Sequence, residues 1–498
     1  MSNQKYRIDK SIINEERQIN RSEHSNETQE HGTIWSVRTW ILLLVVSSAL
    51  FLDGIDLSMV NIALPSIGSE LHLSTGTLQW IVNAYILGYG GFLLLGGRVS
   101  DLIGRRQVFL IAVAVFGLAS IVSALMSNEM TLIALRLVKG IAAGFTVPAG
   151  MSIVSTTFAE GPARMKALSI YSIFGTTGFA LGLVLGGVLT ELGWRITLFA
   201  PGPLAIIIFL LGLRLIPRST RERVTFKQFD LWGALTITGS LLLLVYALVE
   251  APIQGWTSFW TIALLVASVA LMVAFVLVER KHPHPLVRIG ILRSATLRNA
   301  NLAAMTLLGS FMAFQFIVTI YLQDSLRWAP LWVALAFLPS SLFQVVFGPR
   351  IDKVMKRLGT VVAILIGLTS VSVGYLLFFR VDPSLPYWNF LLPTMILIGI
   401  GFVLAFPAVN VQGTFGVAPQ EQGLASGLVN TSLQIGGAVS LAIITAVLNS
   451  SNESTQQNQL LPNMHTAMAI VAGLALLGVL ATLIHLLNSS RENKKEIK

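Results

Sequence analysis

The chain has 498 residues, 54% of them apolar and 12% charged, with a net charge of +10 and no cysteine. Soluble proteins carry about 25% charged residues, so a deficit sustained over this length excludes an ordinary soluble globular fold. The missing cysteines exclude disulfides, thiolate nucleophiles and cysteine-held metals. The basic residues sit between apolar runs, so the positive charge reads as membrane topology and not as a nucleic-acid footprint.

Residues 1–37 are polar and mixed in charge and read as a disordered cytoplasmic tail. The first apolar run is too long for the core of a cleaved leader. Apolar segments follow at roughly 39–65, 75–97, 107–127, 130–157, 167–190, 195–216, 231–250, 258–279, 299–323, 331–348, 359–380, 388–411, 422–449 and 465–487. These runs are continuous and about 20 residues or longer, and strand alternation is absent, so helices are the expected spanning structure. The expected fold is an all-α polytopic membrane protein with fourteen spans. A six-helix bundle (38–217) is followed by two linker spans with flanking cytoplasmic loops (218–298), a second six-helix bundle (299–488) and a cytoplasmic tail (489–498).

With the N-terminus inside, the inward segments hold 29 of the 34 Lys and Arg residues. The outward loops hold three, Arg195, Arg327 and Arg380, and two lie inside a span. That asymmetry favours an even span count and cytoplasmic termini. An internal duplication is also visible. Gly97-Arg98-Val99-Ser100-Asp101 closes the second segment and Gly348-Pro349-Arg350-Ile351-Asp352 closes the tenth, each followed by basic residues. Paired six-helix bundles around a central site are a transporter architecture.

Asp53 and Asp56 are the only carboxylates well inside an expected span, three residues apart and so on one helix face. An ionised acid at mid-membrane costs about 2.5–3.5 kcal/mol on insertion scales. Such residues face a cavity or a partner, where they either carry a proton or bind a cation, or serve as a fixed ion pair or helix cap. Arg136 and Lys139 form a second pair in the fourth segment, beside Gly140 and Gly144. Arg136 is permanently charged and needs a partner, which a first-span aspartate or a backbone carbonyl would supply. Lys139 either joins that site or snorkels to a surface.

The run Gly97, Arg98, Asp101, Gly104, Arg105 and Arg106 combines glycines for a sharp turn, an acid and arginines that bridge helix ends or headgroups. Gly178, Gly182, Gly186 and Gly187 give the fifth segment a small-residue face for close helix contact. Candidates to line a cavity are Asn61, Gln79, Tyr85, Lys139, Gln315 and Gln434, with Trp80, Asn83, Gln344, Asn410 and Asn430 as further polar or aromatic residues within spans. The second half has no mid-span charge, so coupling chemistry is expected in the first.

These motifs carry a family resemblance. Gly97 to Arg106 resembles the cytoplasmic-loop signature of the major facilitator superfamily. Asp56-Leu57-Ser58-Met59-Val60-Asn61-Ile62-Ala63-Leu64-Pro65 is similar to the first-span motif of its fourteen-span drug:proton antiporter branch, with Asp56 at the acidic position and Asp53 outside the pattern. Leu78 to Tyr85, Arg136 to Gly140, Gly178 to Gly187, and Gly423 to Gly427 with Asn430 resemble further motifs of that branch. Lys139 stands where glutamine is usual, and Leu183 where the antiporter motif has proline.

The resemblance implies a proton-coupled exporter of a small amphiphilic or toxic compound, working by alternating access, with Asp56 and Arg136 in proton coupling; Asp53, on the same helix face, is expected to help Asp56. It implies a multi-pass protein of a bacterial plasma membrane, without cofactor, driven by the proton gradient. Its partners would be a small molecule, protons and the bilayer, with no nucleic acid, and the chain would act as a monomer. The nearest alternative is a proton-coupled nutrient importer. An intramembrane enzyme or a sensor is disfavoured by the absence of a nucleophile–base pair and of a signalling domain. Asp56→Asn is expected to abolish gradient-driven transport with folding intact.

Overall fold

The computed structural model describes residues 35–159, 162–217, 230–282, 285, 289–382, 386–417, 422–450 and 459–496. The expected N-terminal tail falls almost wholly outside this set, as do the loops at 218–229 and 418–421.

The helices run in chain order as α1 Val37–Leu71, α2 Thr75–Ile103, α3 Arg105–Leu125, α4 Glu129–Thr157, α5 Pro162–Leu192, α6 Trp194–Phe199, α7 Pro201–Leu215, α8 Leu231–Gln254 and α9 Phe259–Lys281. They continue as α10 Ala295–Ile320, α11 Pro330–Phe347, α12 Ile351–Leu358, α13 Thr360–Phe378, α14 Tyr387–Thr414, α15 Gln422–Leu448 and α16 Met464–Glu496. Among the described residues, thirteen helical stretches are long and apolar enough to cross a membrane. The remaining expected span is α8, whose stretch Leu235–Ala251 is a shorter apolar helix.

Local chemistry sets the boundaries. Ser36, Ser74, Asn128, Asp230 and Ser294 each accept a hydrogen bond from a first-turn amide and so start α1, α2, α4, α8 and α10. Gly104 (φ 117°) separates α2 from α3, and Gly359 (φ 80°) separates α12 from α13, a region of backbone space that favours glycine. The sixth expected span is divided into α6 and α7 where Pro201 removes an amide donor. A helix α12, too short and polar to resemble a span, follows the tenth. The last helix runs on to Glu496, into the segment expected as a tail.

Helix pairing repeats between the halves. In the first, α1 packs on α5, α2 on α4, α3 on α4, and α7 on both α1 and α3. In the second, α10 packs on α15, α11 on α14, α13 on α14, and α16 on both α10 and α13. The same five contacts thus occur twice, giving two pseudo-symmetric six-span bundles. They meet along two seams, α2 with α15 and α5 with α11. The α8–α9 hairpin docks through α8 on both α2 and α15.

Lipid accounts for the exposed apolar residues. On α9, Ile262, Val266, Val269, Val273 and Leu277 form an exposed stripe with helical spacing. Exposed Trp256, Trp260, Trp332 and Trp388 stand at the starts of helices or in the turn beside them, where indoles favour a membrane–water boundary.

Candidate functional site: a buried charge cluster in the N-terminal bundle

Glycines set how closely the helices that carry the charges approach. A Cβ added at Gly140 of α4 would collide with the Tyr85 carbonyl of α2, and one at Gly178 or Gly182 of α5 with the α1 backbone at Phe51 or Ile55. Gly186 faces Met59 of α1, and Gly187 faces Leu331 and Ala334 of α11 across the second seam. The fifth-span glycines therefore draw α5 against α1 and also against the other bundle. Leu183, in place of proline, is buried in the core.

Asp56, Arg136 and Lys139 meet in the space these contacts leave. Their relative exposures are 1%, 2% and 0%. Arg136 Nη1 donates to Asp56 Oδ2 at 2.5 Å, and Lys139 Nζ donates to Asp56 Oδ1. Arg136 Nε donates to the Ile81 carbonyl at 2.9 Å. Both partner types expected for Arg136 are thus present. Its guanidinium carbon lies 4.4 Å from the Tyr85 ring centroid, and Lys139 Nζ lies 4.8 Å from that of Phe116. Lys139 is a member of the cluster and does not snorkel.

Asp53 differs from Asp56. It is only part-buried and accepts a hydrogen bond from the Tyr85 hydroxyl. It also lines a small cavity with Ala49, Leu52, Val113, Phe116, Ala143, Thr146 and Val147. That cavity lies within the first bundle, between α1, α3 and α4, and not between the bundles. Two features of α4 loosen its ladder there. Thr146 donates back to the Ala142 carbonyl at 2.8 Å, and Pro148 lacks the donor its helical position would supply.

The candidate lining residues lie elsewhere. Asn61 is buried and donates to the Leu57 carbonyl. Tyr85 is buried between Asp53 and Arg136. Gln79 and Gln315 are buried with both amide atoms unpartnered, and Gln434 packs against Gly90 at the first seam. Asn83 donates to the Ala438 carbonyl across that seam at 3.3 Å, and Asn430 to Asn410 at 3.4 Å.

In the Gly97–Arg106 run, Gly104 forms the turn and Arg106 donates to the Leu213 carbonyl near the end of α7 at 2.7 Å. That places a cation at the negative end of a helix. Arg98 is part-buried. The Asp101 side chain lies outside the described residues.

Sequence reading missed two buried acids, Asp230 and Glu279, at the ends of the α8–α9 hairpin. Asp230 caps α8 through the Gly233 amide at 2.7 Å, and its other oxygen lies 3.9 Å from His282. The available signal was an Asp immediately before an apolar helical run.

The sequence model of the Major Facilitator Superfamily matches residues 46–441. The puromycin resistance protein pur8 of Streptomyces alboniger is 38% identical over 82% of this chain and 82% of its own length. The cephamycin export protein CmcT of Amycolatopsis lactamdurans is 32% identical over 83% of this chain and 86% of its own. The crystal structure of the peptide transporter POT in complex with sulfate superposes with a TM-score of 0.66 at 14% identity, over 90% of this chain and 94% of that one, a likeness of fold alone. The repeated six-helix pairing, the motif-bearing loop at Gly104 and these matches converge: the chain belongs to the Major Facilitator Superfamily.

Proposed function

We propose that the protein is a proton-coupled exporter of small toxic compounds, a drug:proton antiporter of the fourteen-span type that works by alternating access. The observation that carries this reading is the charge cluster of Asp53, Asp56, Arg136 and Lys139 inside the first bundle. Charges retained in a membrane interior mark ion pathways. A proton that enters such a cluster changes its charge balance and so alters how α1 and α4 hold together. Several relatives that match over more than four fifths of the chain are named for resistance or export, which favours outward movement of an antibiotic-like compound over nutrient import. The protein works without a cofactor, as a monomer, in a bacterial plasma membrane with both termini in the cytoplasm and the Gly97–Arg106 run steadying one closed state.

The test uses everted vesicles energised to be acid inside, with puromycin as the probe. The expected result is accumulation that collapses with a protonophore and is absent in Asp56→Asn. Accumulation confined to right-side-out vesicles would instead establish an importer. A growth panel against other toxic compounds then defines the breadth of substrates.

A further inference from the structure

We infer that Asp53 is the residue that takes up and releases the proton, and that Asp56 is a fixed counter-ion held in place by Arg136 and Lys139. The inference rests on the proposed proton-coupled export and divides roles within its cluster.

The two acids stand one turn apart on α1 in opposite circumstances. Asp56 is enclosed, and each of its oxygens meets a different cation. Adding a proton to it would leave Arg136 and Lys139 buried without their anion. Asp53 is part-buried and lines the small cavity, and it accepts a hydrogen bond from the neutral Tyr85 hydroxyl. A proton reaching the cavity can form an O–H bond on Asp53 while the pairs around Asp56 stay whole, and deprotonation reverses that step.

Charge balance leads to the same division. The four residues comprise two acids and two cations. Asp56 and Arg136 balance as one pair; Lys139 brings a second cation, and Asp53 is the second anion. The groups that face Asp53 are Asp56 on α1, Tyr85 and Tyr89 on α2, Arg136 and Lys139 on α4, and Tyr171 on α5. Tyr171 is anchored by donating to the Val147 carbonyl at the cavity wall, 2.9 Å away. Tyr85 connects the two acids, since its hydroxyl holds Asp53 and its ring lies against the guanidinium bound to Asp56. A change in the Asp53 hydrogen bond therefore reaches the ion pair between α1 and α4.

The decisive experiment is an infrared pH titration of the purified full-length protein in lipid nanodiscs, following the carbonyl stretch of a protonated carboxylic acid in the protein interior. The expected result is a titrating band that is lost in Asp53→Asn and returns at an altered frequency in Asp53→Glu. It moves to higher frequency in Tyr85→Phe and remains a single band in Lys139→Gln, where Arg136 still holds Asp56 ionised. A band that survives Asp53→Asn, or a second band in Lys139→Gln, would overturn the assignment. Both variants keep the Arg136–Asp56 pair, so the test does not depend on recovering an Asp56 variant. The transport reading is separable. Normal gradient-driven puromycin accumulation by Asp53→Asn would overturn the role of Asp53 and leave export standing. A wild-type protein that shows the band but moves no compound in the panel would overturn export and leave the protonation site standing.

Discussion

The two bundles share their packing but not their chemistry. Glycines at the closest helix approaches bring them into register. Gly54 of α1 meets the Gly175 carbonyl of α5, and Gly309 of α10 meets the Gly436 carbonyl of α15. Gly140 of α4 meets Tyr85 of α2, and Gly399 of α14 meets Ser340 of α11. Counted from these points, Asp53 and Asp56 correspond to Leu308 and Phe311, and Arg136 and Lys139 to Met395 and Ile398. Met395 and Ile398 are wholly buried, and Phe311 packs its ring 4.7 Å from that of Phe402. The second bundle therefore fills with hydrocarbon the level that the first fills with ions. A charged interior is not needed to build this bundle, which argues that the charges are kept for what they do.

The largest expected effect comes from breaking the ion cluster on one side only. Asp56→Asn strands two buried cations, and loss of one partner of a buried pair costs about 3–5 kcal/mol. Thermal unfolding in detergent should show that loss alongside the loss of transport. This revises the expectation, drawn from sequence, that folding would survive the substitution intact. Copying the second bundle sharpens the comparison. The variant D53L/D56F/R136M/K139I replaces the whole cluster by apolar residues, and such exchanges are often neutral or stabilising by about 1–4 kcal/mol. It should unfold no earlier than wild type and should not pump. Early unfolding would mean that the charges also hold the bundle together.

A smaller and symmetric effect is expected at the glycine contacts. Gly178→Val in the first bundle and Gly436→Val in the second each force a side chain into backbone, and overpacking costs about 1–3 kcal/mol. Similar drops in melting temperature would confirm that the packing is duplicated, while a difference would locate where the pseudo-symmetry fails. The smallest effect belongs to the exposed ion pair at the other end of the first bundle. There Arg195 meets Glu70, with the Trp194 indole also donating to Glu70 at 2.7 Å. Exposed pairs contribute little because water screens them, so Glu70→Gln should leave melting unchanged within error.

Much of this was legible in the sequence because hydropathy is a strong signal when every span must satisfy its own backbone. The helix order, the duplicated halves and the pairing of Arg136 with a first-span aspartate all follow from runs and spacings. The split of the sixth span is marked by Pro201 and not by hydropathy, which continues through it, and the short helix after Arg350 lies in a basic stretch where hydropathy is silent. The division between Asp53 and Asp56 was also hidden. Two acids three residues apart look equivalent in one dimension; only the placement of Lys139 and of the cavity wall at Thr146 separates them. The polar candidates at Gln79 and Gln315 were chosen by residue type, which does not indicate whether a side chain meets open space or a neighbouring helix.

The α8–α9 hairpin makes the two seams mechanically unequal. Thr238 of α8 lies against Gly91 of α2, and α8 also rests on α15, so that seam carries a brace reaching both halves. At the opposite seam Gly187 meets Leu331 directly, and among the described residues neither hairpin helix packs on α5 or α11. In the proposed alternating-access cycle the braced side would shear along α8 while the opposite side parts, so the added helices would give the swing a preferred hinge line.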